Sequence, residues 1–422
     1  MAVTRPAHPR EHGPLAGVGG RVRLARYAAR LSTVVSRTVR GGSGTVIGGR
    51  VLQAAAPAAV STLAAGRHTT LVTGTNGKTS IAALTVAALG SADVGSNRDG
   101  ANTGAGIAGT LATTDASRLV LETDEGWLAW AVRETRPELV VLANLSRDQL
   151  SRHHEVGALA AGWRSVLAGA PTVVANADDP AVVWAALSAR AQVWVGVGSR
   201  WHDDSQVCPS CGGRCLADAS DWRCTSCHLR RPEPTWWLAD DVLHGPGVRI
   251  PLRLDLPGHF NRANAALAVV AAVTGAGVAP EDAAARLGEV RSVAGRYERV
   301  HYRGHDLRLL LAKNPAGWLE LLDVLASDSR PVVLLFNADG VDGRDPSWLY
   351  DVSFASLRGR RVLVQGRRAT DLLVRLELDG VEALHVPGSL AEAVWRLPAG
   401  HEVDVVGNYT AFQRALREVR RA

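Results

Sequence analysis

From about residue 69 onward, short apolar runs alternate with longer alanine-rich stretches. Thr69–Thr73, Leu119–Glu122, Leu139–Asn144, Thr172–Asn176 and Gln192–Val197 are too short for helices and read as buried strands. Thr79–Leu89 and His259–Thr274 carry helical patterns, the second opened by Leu256-Pro257-Gly258. Strands that are apolar on both faces lie inside a mostly parallel sheet covered by helices, so the pattern predicts an α/β fold. The periodicity vanishes across Trp201–Pro234. It returns from about Val293, with strands expected at Pro331–Asn337, Arg361–Gln365, Ala383–Val386 and Glu402–Val406. Helices are expected at Leu390–Arg396 and Thr410–Arg420, and this second series predicts a smaller, Rossmann-like α/β domain. Gly245–Pro251 reads as a hairpin or a linker. The expected organisation is a basic N-terminal arm or helix over 1–56, a central domain over 57–292 with an insertion at about 201–235, and a C-terminal domain over 293–422.

Charge adds a feature that the pattern lacks. Residues 1–50 hold nine arginines and one acid, Glu11, so the net charge of +6 sits there and the remaining chain is slightly acidic. That stretch reads as a solvated arm, or as a surface for anionic lipid or nucleic acid, with Val22–Val39 suited to a basic amphipathic helix. No apolar run reaches eighteen residues, which excludes a spanning helix of that kind. The start also lacks the continuous apolar segment of a signal peptide, and the expected location is the cytoplasm, at the inner face of the membrane. Of 47 basic residues only Lys78 and Lys313 are lysine. A chain that uses arginine elsewhere keeps lysine where a compact point charge serves better than a planar fork.

Lys78 stands in such a place. The strand Thr69–Thr73 runs into Gly74-Thr75-Asn76-Gly77-Lys78-Thr79-Ser80, and a helix follows directly. Such a turn converges backbone N–H groups and a helix dipole on phosphate oxygens, with the lysine reaching the terminal phosphates. Thr79 is the expected hydroxyl ligand of magnesium. Val72 occupies the position of the first glycine in the full phosphate-loop signature, so a plain glycine-rich turn is the competing reading.

Cys208-Pro209-Ser210-Cys211 and Cys224-Thr225-Ser226-Cys227 form two Cys-x-x-Cys knuckles. Two knuckles complete a tetrahedral zinc site, and a redox dithiol is the alternative. Cys215 and His228 are reserve ligands, and Trp222, Trp236 and Trp237 are expected to pack over this ribbon.

The shortened loop Gly74–Thr79 resembles that of the Mur ligases, which activate a carboxylate as an acyl phosphate. The likeness extends in order through Leu121-Glu122-Thr123-Asp124-Glu125, Ala143–Leu150, Asn176–Pro180, Gly258–Asn264 and Gly295-Arg296-Tyr297-Glu298. It implies a P-loop central domain of Mur ligase type, with ATP held by Gly74, Thr75, Asn76, Gly77, Lys78, Thr79 and Ser80. It also implies Glu122 as the magnesium-binding glutamate, Asn264 against the adenine and Arg296 on phosphate. Gln149 and Ser151 depart from the family's His and Asp.

The inserted four-cysteine ribbon, Leu311–Trp318 around Lys313-Asn314-Pro315-Ala316-Gly317, and Asn337–Asp351 resemble the MurT family of these ligases. That resemblance implies a heterodimer with a GatD-like glutaminase, acting on lipid II. The α-carboxylate of D-isoglutamate in the stem peptide would be phosphorylated and then amidated with the partner's ammonia. Lys313 would hold phosphate or carboxylate, and Asp351, or else Asp345, would complete the partner's catalytic triad. Two other readings share the loop: a Mur-type ligase that adds an amino acid unaided, and a nucleic-acid-binding NTPase with a zinc ribbon.

Overall fold

The computed structural model describes residues 19–40, 44–90, 92–97, 100–147, 156–170, 172–199, 203–218, 221–293, 296–339, 342, 345–398 and 400–422. The apolar runs form a nine-stranded sheet. In chain order its first six strands are β1 (His68–Thr73), β2 (Val94–Ser96), β3 (Arg118–Glu122), β4 (Leu139–Leu142), β5 (Thr172–Asn176) and β6 (Gln192–Gly196). A small hairpin, β7 (Cys215–Ala217) and β8 (Trp222–Cys224), interrupts the series. The sheet resumes with β9 (Trp236–Ala239), β10 (Val242–Gly245) and β11 (Val248–Pro251). The spatial order is β11-β10-β9-β6-β5-β4-β1-β3-β2, parallel from β9 to β2. The edge beyond β9 is antiparallel, so Gly245–Pro251 belongs to a hairpin, with Gly245 opposite Val248.

The second domain holds β12 (Tyr297–Tyr302), β13 (His305–Leu311), β14 (Val332–Leu335), β15 (Val362–Gln365), β16 (Ala383–His385) and β17 (Glu402–Gly407). Their order is β12-β13-β17-β14-β15-β16, parallel except for the β12–β13 pair. One apolar cluster runs from Val72, Ile81 and Leu267 of the first domain to Leu310, Trp318 and Phe336 of the second. The cleft between the sheets is thereby walled by both.

Among the described residues, three helices precede β1: α1 (Gly20–Arg40), α2 (Thr45–Ala55) and α3 (Ala59–Ala64). Ala25, Ala29 and Leu52 are buried in the cluster that backs β1, β3 and β4. A helix at Gly104–Thr113 lies so close to α2 that a Cβ on Gly49 would sit 1.7 Å from the Ala105 carbonyl oxygen. From α1, Arg26 donates to the Ala112 and Thr114 carbonyls and Arg30 to that of Ala112, and both pair with Asp115. The described part of the arginine-rich stretch is therefore docked along one side.

Candidate active site

In a parallel sheet, ligands bind beyond the carboxyl ends of the strands where the strand order reverses. Here β1 lies between β3 and β4, and the phosphate loop leaves its end. The helix after the loop begins at Lys78. Gly77 adopts φ +82°, and a Cβ there would come within 2.4 Å of Asn264 Oδ1, so the turn tolerates only glycine. This contact sets Asn264, in the helix His259–Ala276, directly against the loop.

The loop is fastened by the segment after β4. The Asn144 carbonyl accepts from Thr75 N at 2.9 Å, and its Oδ1 from Asn76 N at 2.9 Å, while Asn144 Nδ2 donates to the Asn76 carbonyl. Ser146 N donates to Thr75 Oγ1 at 3.0 Å. From the second domain, Asn314 Nδ2 donates to Asn76 Oδ1 at 3.2 Å. Thr79 and Ser80 are buried in the first helical turn.

The acids following β3 complete the centre. Register pairs Glu122 with Val72, two residues before the loop. Asn97 holds the Glu122 backbone through both its amide N–H and its carbonyl, and Asn102 Nδ2 donates to Glu122 Oε1 at 3.0 Å. Glu125, which the sequence pattern did not single out, forms a buried pair with Lys78, Nζ to Oε2 2.6 Å. Burial presses the Lys78 ammonium to release its proton, yet the charge of Glu125, then its hydrogen bond, then Glu122 and Asp124, hold its pKa above the ordinary lysine value. Burial pushes Glu125 up, and the charges of Lys78 and Lys313 and the hydrogen bond to Lys78 bring it below the usual carboxylate value. The charges of both lysines of the chain thus act on one carboxylate, to which Lys78 is directly bonded. The signal that could have found Glu125 is the run of three acids in Glu122–Glu125 behind a buried strand.

A cavity of about 180 Å³ joins these parts. Asn76, Gly77, Asn144, Asn264, Arg296 and Lys313 line it, as does Asp178 on the far wall. Asp178 Oδ2 accepts from the N–H groups of Val197, Gly198 and Ser199, and Oδ1 from Arg231 Nε at 2.8 Å. Its neighbour Asp179 caps the helix Pro180–Ala186 and accepts from Leu145 N, and burial raises its pKa to about 6.

Asp351 ends the short helical turn Ser347–Asp351 and pairs with Arg147 of the first domain, Nη1 to Oδ2 3.3 Å. Arg147 also binds Asp204. Asp345 is exposed and accepts from Ser347 N at 2.9 Å, a local turn contact. Asp148, Gln149 and Ser151, and Gly295 beside Arg296, lie outside the described residues.

The four sulfurs of Cys208, Cys211, Cys224 and Cys227 lie within 4.8 Å of one another, with Cys208–Cys227 at 3.7 Å and Cys211–Cys224 at 3.5 Å. Four thiolates about 2.3 Å from one zinc ion stand roughly 3.8 Å apart, so this set fits the metal. Backbone N–H groups of Gly213 and Ser226 point at Cys211 and Cys224 sulfurs. Cys215 is buried across the hairpin from Cys224, and His228 is exposed; neither belongs to the group of four. Trp222 fixes the ribbon to the sheet by donating from Nε1 to the Ala177 carbonyl at 2.9 Å. Both Trp236 and Trp237 lie on β9: Trp236 departs from the expected packing over the ribbon, being buried in the main core against Gly245, whereas Trp237 stacks on His244 and lines a pocket with Trp222 and Arg231 of the ribbon. Alternation along the strand sends one inward and the other outward.

The description "Mur ligase middle domain" matches residues 72–272, and "MurT ligase C-terminal" matches residues 311–412. Fold and site together make the chain a member of the Mur ligases. Within them it is of the MurT type. The lipid II isoglutaminyl synthase (glutamine-hydrolyzing) subunit MurT of Staphylococcus aureus strain COL is 27% identical over 387 residues, covering 83% of this chain and 87% of that one. Its counterpart from Streptococcus pneumoniae is 28% identical over 375 residues, covering 81% and 84%. A pseudomurein peptide ligase type C from Methanothermus fervidus shares the fold, with a TM-score of 0.64 at 17% identity, over 84% of this chain and 78% of that one.

Proposed function

We propose that this chain is the ATP-dependent ligase subunit of a glutamine-hydrolysing lipid II isoglutaminyl synthase. It activates the α-carboxylate of D-isoglutamate in the stem peptide, and a GatD-like glutaminase supplies the ammonia. One observation carries the reading. Asn314, beside Lys313 in the MurT-type segment, is bonded to Asn76 of the phosphate loop, so both domains meet where a γ-phosphate would lie.

A carboxylate is a poor electrophile because its leaving group would be oxide. Transfer of the γ-phosphoryl group to a carboxylate oxygen, with departure of ADP, makes that oxygen part of a phosphate leaving group. Ammonia then attacks the carbonyl carbon, and phosphate departs to leave the amide. The transferring group carries charge on its oxygens, so positioning and neutralisation are the protein's main tasks. Lys78 and the N–H groups from Gly77 into the first turn of the helix receive the phosphates, while those of Thr75 and Asn76 stay bonded to Asn144. Arg296 adds a further cation, and Lys313 meets the phosphate or the incoming carboxylate. Thr79 and Glu122 supply the hard oxygen donors suited to magnesium, which neutralises phosphate charge when bound. When the nucleotide enters, its phosphates take over Lys78 from Glu125. Asp351, half-exposed and kept near the cleft by Arg147, is assigned to the partner's histidine, and Asp345 serves its local turn. Zinc is the metal assigned to the four cysteines, in a structural role.

Mass spectrometry of lipid II after incubation with the chain, the glutaminase, ATP, magnesium and glutamine tests this. Conversion of one carboxyl to an amide, lost in Lys78→Ala and without the glutaminase, is the expected result. Unchanged lipid II with an active glutaminase present points instead to a ligase that adds an amino acid unaided.

A further inference from the structure

The helix α1 has two apolar faces. Ala25, Ala29, Thr33 and Ser36 are buried against the body. On the outward side Leu24, Tyr27, Leu31, Val34 and Val35 are between 59% and 73% exposed. At about 100° per residue these five fall within a single stripe about a third of the helix circumference wide. Monomeric soluble surfaces seldom carry such a contiguous stripe without a partner.

The charges around the stripe identify that partner. Arg23 and Arg37, both exposed, lie along one margin of the stripe, and Arg21 lies on the other. The whole helix, Gly20 to Arg40, contains no Asp or Glu. A second copy of the chain packed face to face would bring arginine against arginine with no acid on either helix to offset them. An anionic lipid surface complements the pattern: the apolar stripe enters the acyl boundary while guanidinium groups reach the headgroups. Three arginines are differently engaged: Arg26, on the inner side, and Arg30, on the same margin as Arg23 and Arg37, are turned to Asp115 and to backbone carbonyls, and Arg21 donates to the Ala55 carbonyl.

We infer that α1 lies in the surface of an anionic bilayer, with Leu24, Tyr27, Leu31, Val34 and Val35 inserted and Arg23 and Arg37 at the headgroups. No helix among the described residues is long and apolar enough to cross a membrane, so this contact is peripheral and salt-sensitive. It also turns one face of the enzyme toward a bilayer, where a lipid-linked substrate would be held. The inference does not depend on the amidation chemistry.

Cosedimentation of the full chain with vesicles tests it, using phosphatidylglycerol-containing vesicles against pure phosphatidylcholine and no lipid II. The expected result is binding to the anionic vesicles alone, weakened by salt. The paired substitution Leu24→Gln with Leu31→Gln should lower the partition about ten-fold or more. Those side chains are solvent-exposed, so the variant should fold, which nucleotide binding verifies. Arg23→Gln with Arg37→Gln should lower it less and flatten the salt dependence. Absence of binding by a chain that binds nucleotide overturns the inference, as does equal binding by the Leu24→Gln, Leu31→Gln variant. A dimer in solution that the same variant dissolves reassigns the stripe to a second copy and also overturns it.

Discussion

Arg231 Nε donates to Asp178 Oδ1 at 2.8 Å, and through this bond the cysteine-bearing ribbon holds one wall of the cavity beside the phosphate loop. The other oxygen of Asp178 gathers three consecutive backbone N–H groups after β6, so a shift of the carboxylate moves that turn. Arg231→Ala leaves Oδ1 unpaired in a mostly buried place, a loss of about 1 kcal/mol or more. The KM for ATP should rise about five-fold, with a smaller change in kcat. Steady-state kinetics with ATP as the varied substrate checks this, and Arg231→Lys should restore part of the loss. An unchanged KM would uncouple ribbon from cavity.

Metal removal should act along the same line. Cys208→Ser with Cys227→Ser is expected to abolish binding of one zinc equivalent, read by atomic emission, because a ribbon this small has no core without its ion. The variant should also become sensitive to proteolysis between β6 and β9 while the main sheet stays folded. Full zinc content in that variant would refute the four-sulfur assignment.

Glu125→Gln removes the only anion that the described structure bonds to Lys78 Nζ. Breaking such a buried pair destabilises by about 3–5 kcal/mol, since a charge remains without its counterpart. Phosphate oxygens can take the vacant place, so ATP should raise the melting temperature of Glu125→Gln more than that of the unaltered chain. Differential scanning fluorimetry with and without nucleotide measures this; equal shifts would show that Glu125 does not hold the lysine in the empty site.

Asp351→Asn should stop amidation driven by glutamine and the partner, while amidation with ammonium salt as the nitrogen source continues. That split separates a role in the partner's triad from a role in carboxylate activation. Asp345→Asn should leave both reactions within about two-fold, since its bond to Ser347 N is one that an asparagine side chain also accepts. Loss of both nitrogen routes in Asp351→Asn would place that carboxylate in the ligase chemistry itself.

Asp179 offers a pH test. Its pKa rises from the ordinary 3.8 to about 6 through burial, so between those values the folded chain binds the extra proton. Stability from this group therefore grows as pH falls from about 6 towards 4, and is absent above about 6. The difference is at most about 3 kcal/mol. Asp179→Asn keeps the helix cap and should flatten this part of the profile, measured as urea midpoints against pH.

The strands were legible because a parallel sheet buried on both faces demands continuous apolar runs, and those runs have no other use. Leu139–Leu142 ends two residues earlier than its pattern suggests, because Ala143 and Asn144 turn away to hold the loop. The phosphate loop and the cysteine knuckles were legible for a related reason: each is a local spacing. Contacts between distant segments leave no such mark. Asn76 and Asn314 are 238 residues apart, and nothing near either announces the other. Arg147 and Asp351, like Lys78 and Glu125, meet only because the sheets bring their loops to one cleft. Trp236 departs from the sequence reading because closeness in sequence to the second knuckle suggests closeness in space, whereas β9 turns it into the main core.

The scarcity of lysine has a practical consequence. Lys78 and Lys313 are the only ε-amines in the chain; Lys313 lines the cavity, whereas Lys78 is buried against Glu125 behind the loop. An acylating reagent carrying a nucleotide head would label this cavity with no competing side-chain amine on the arginine-coated surface. A single mass increment on the intact chain would then report occupancy directly, and its suppression by ATP would turn the molecule into its own binding assay.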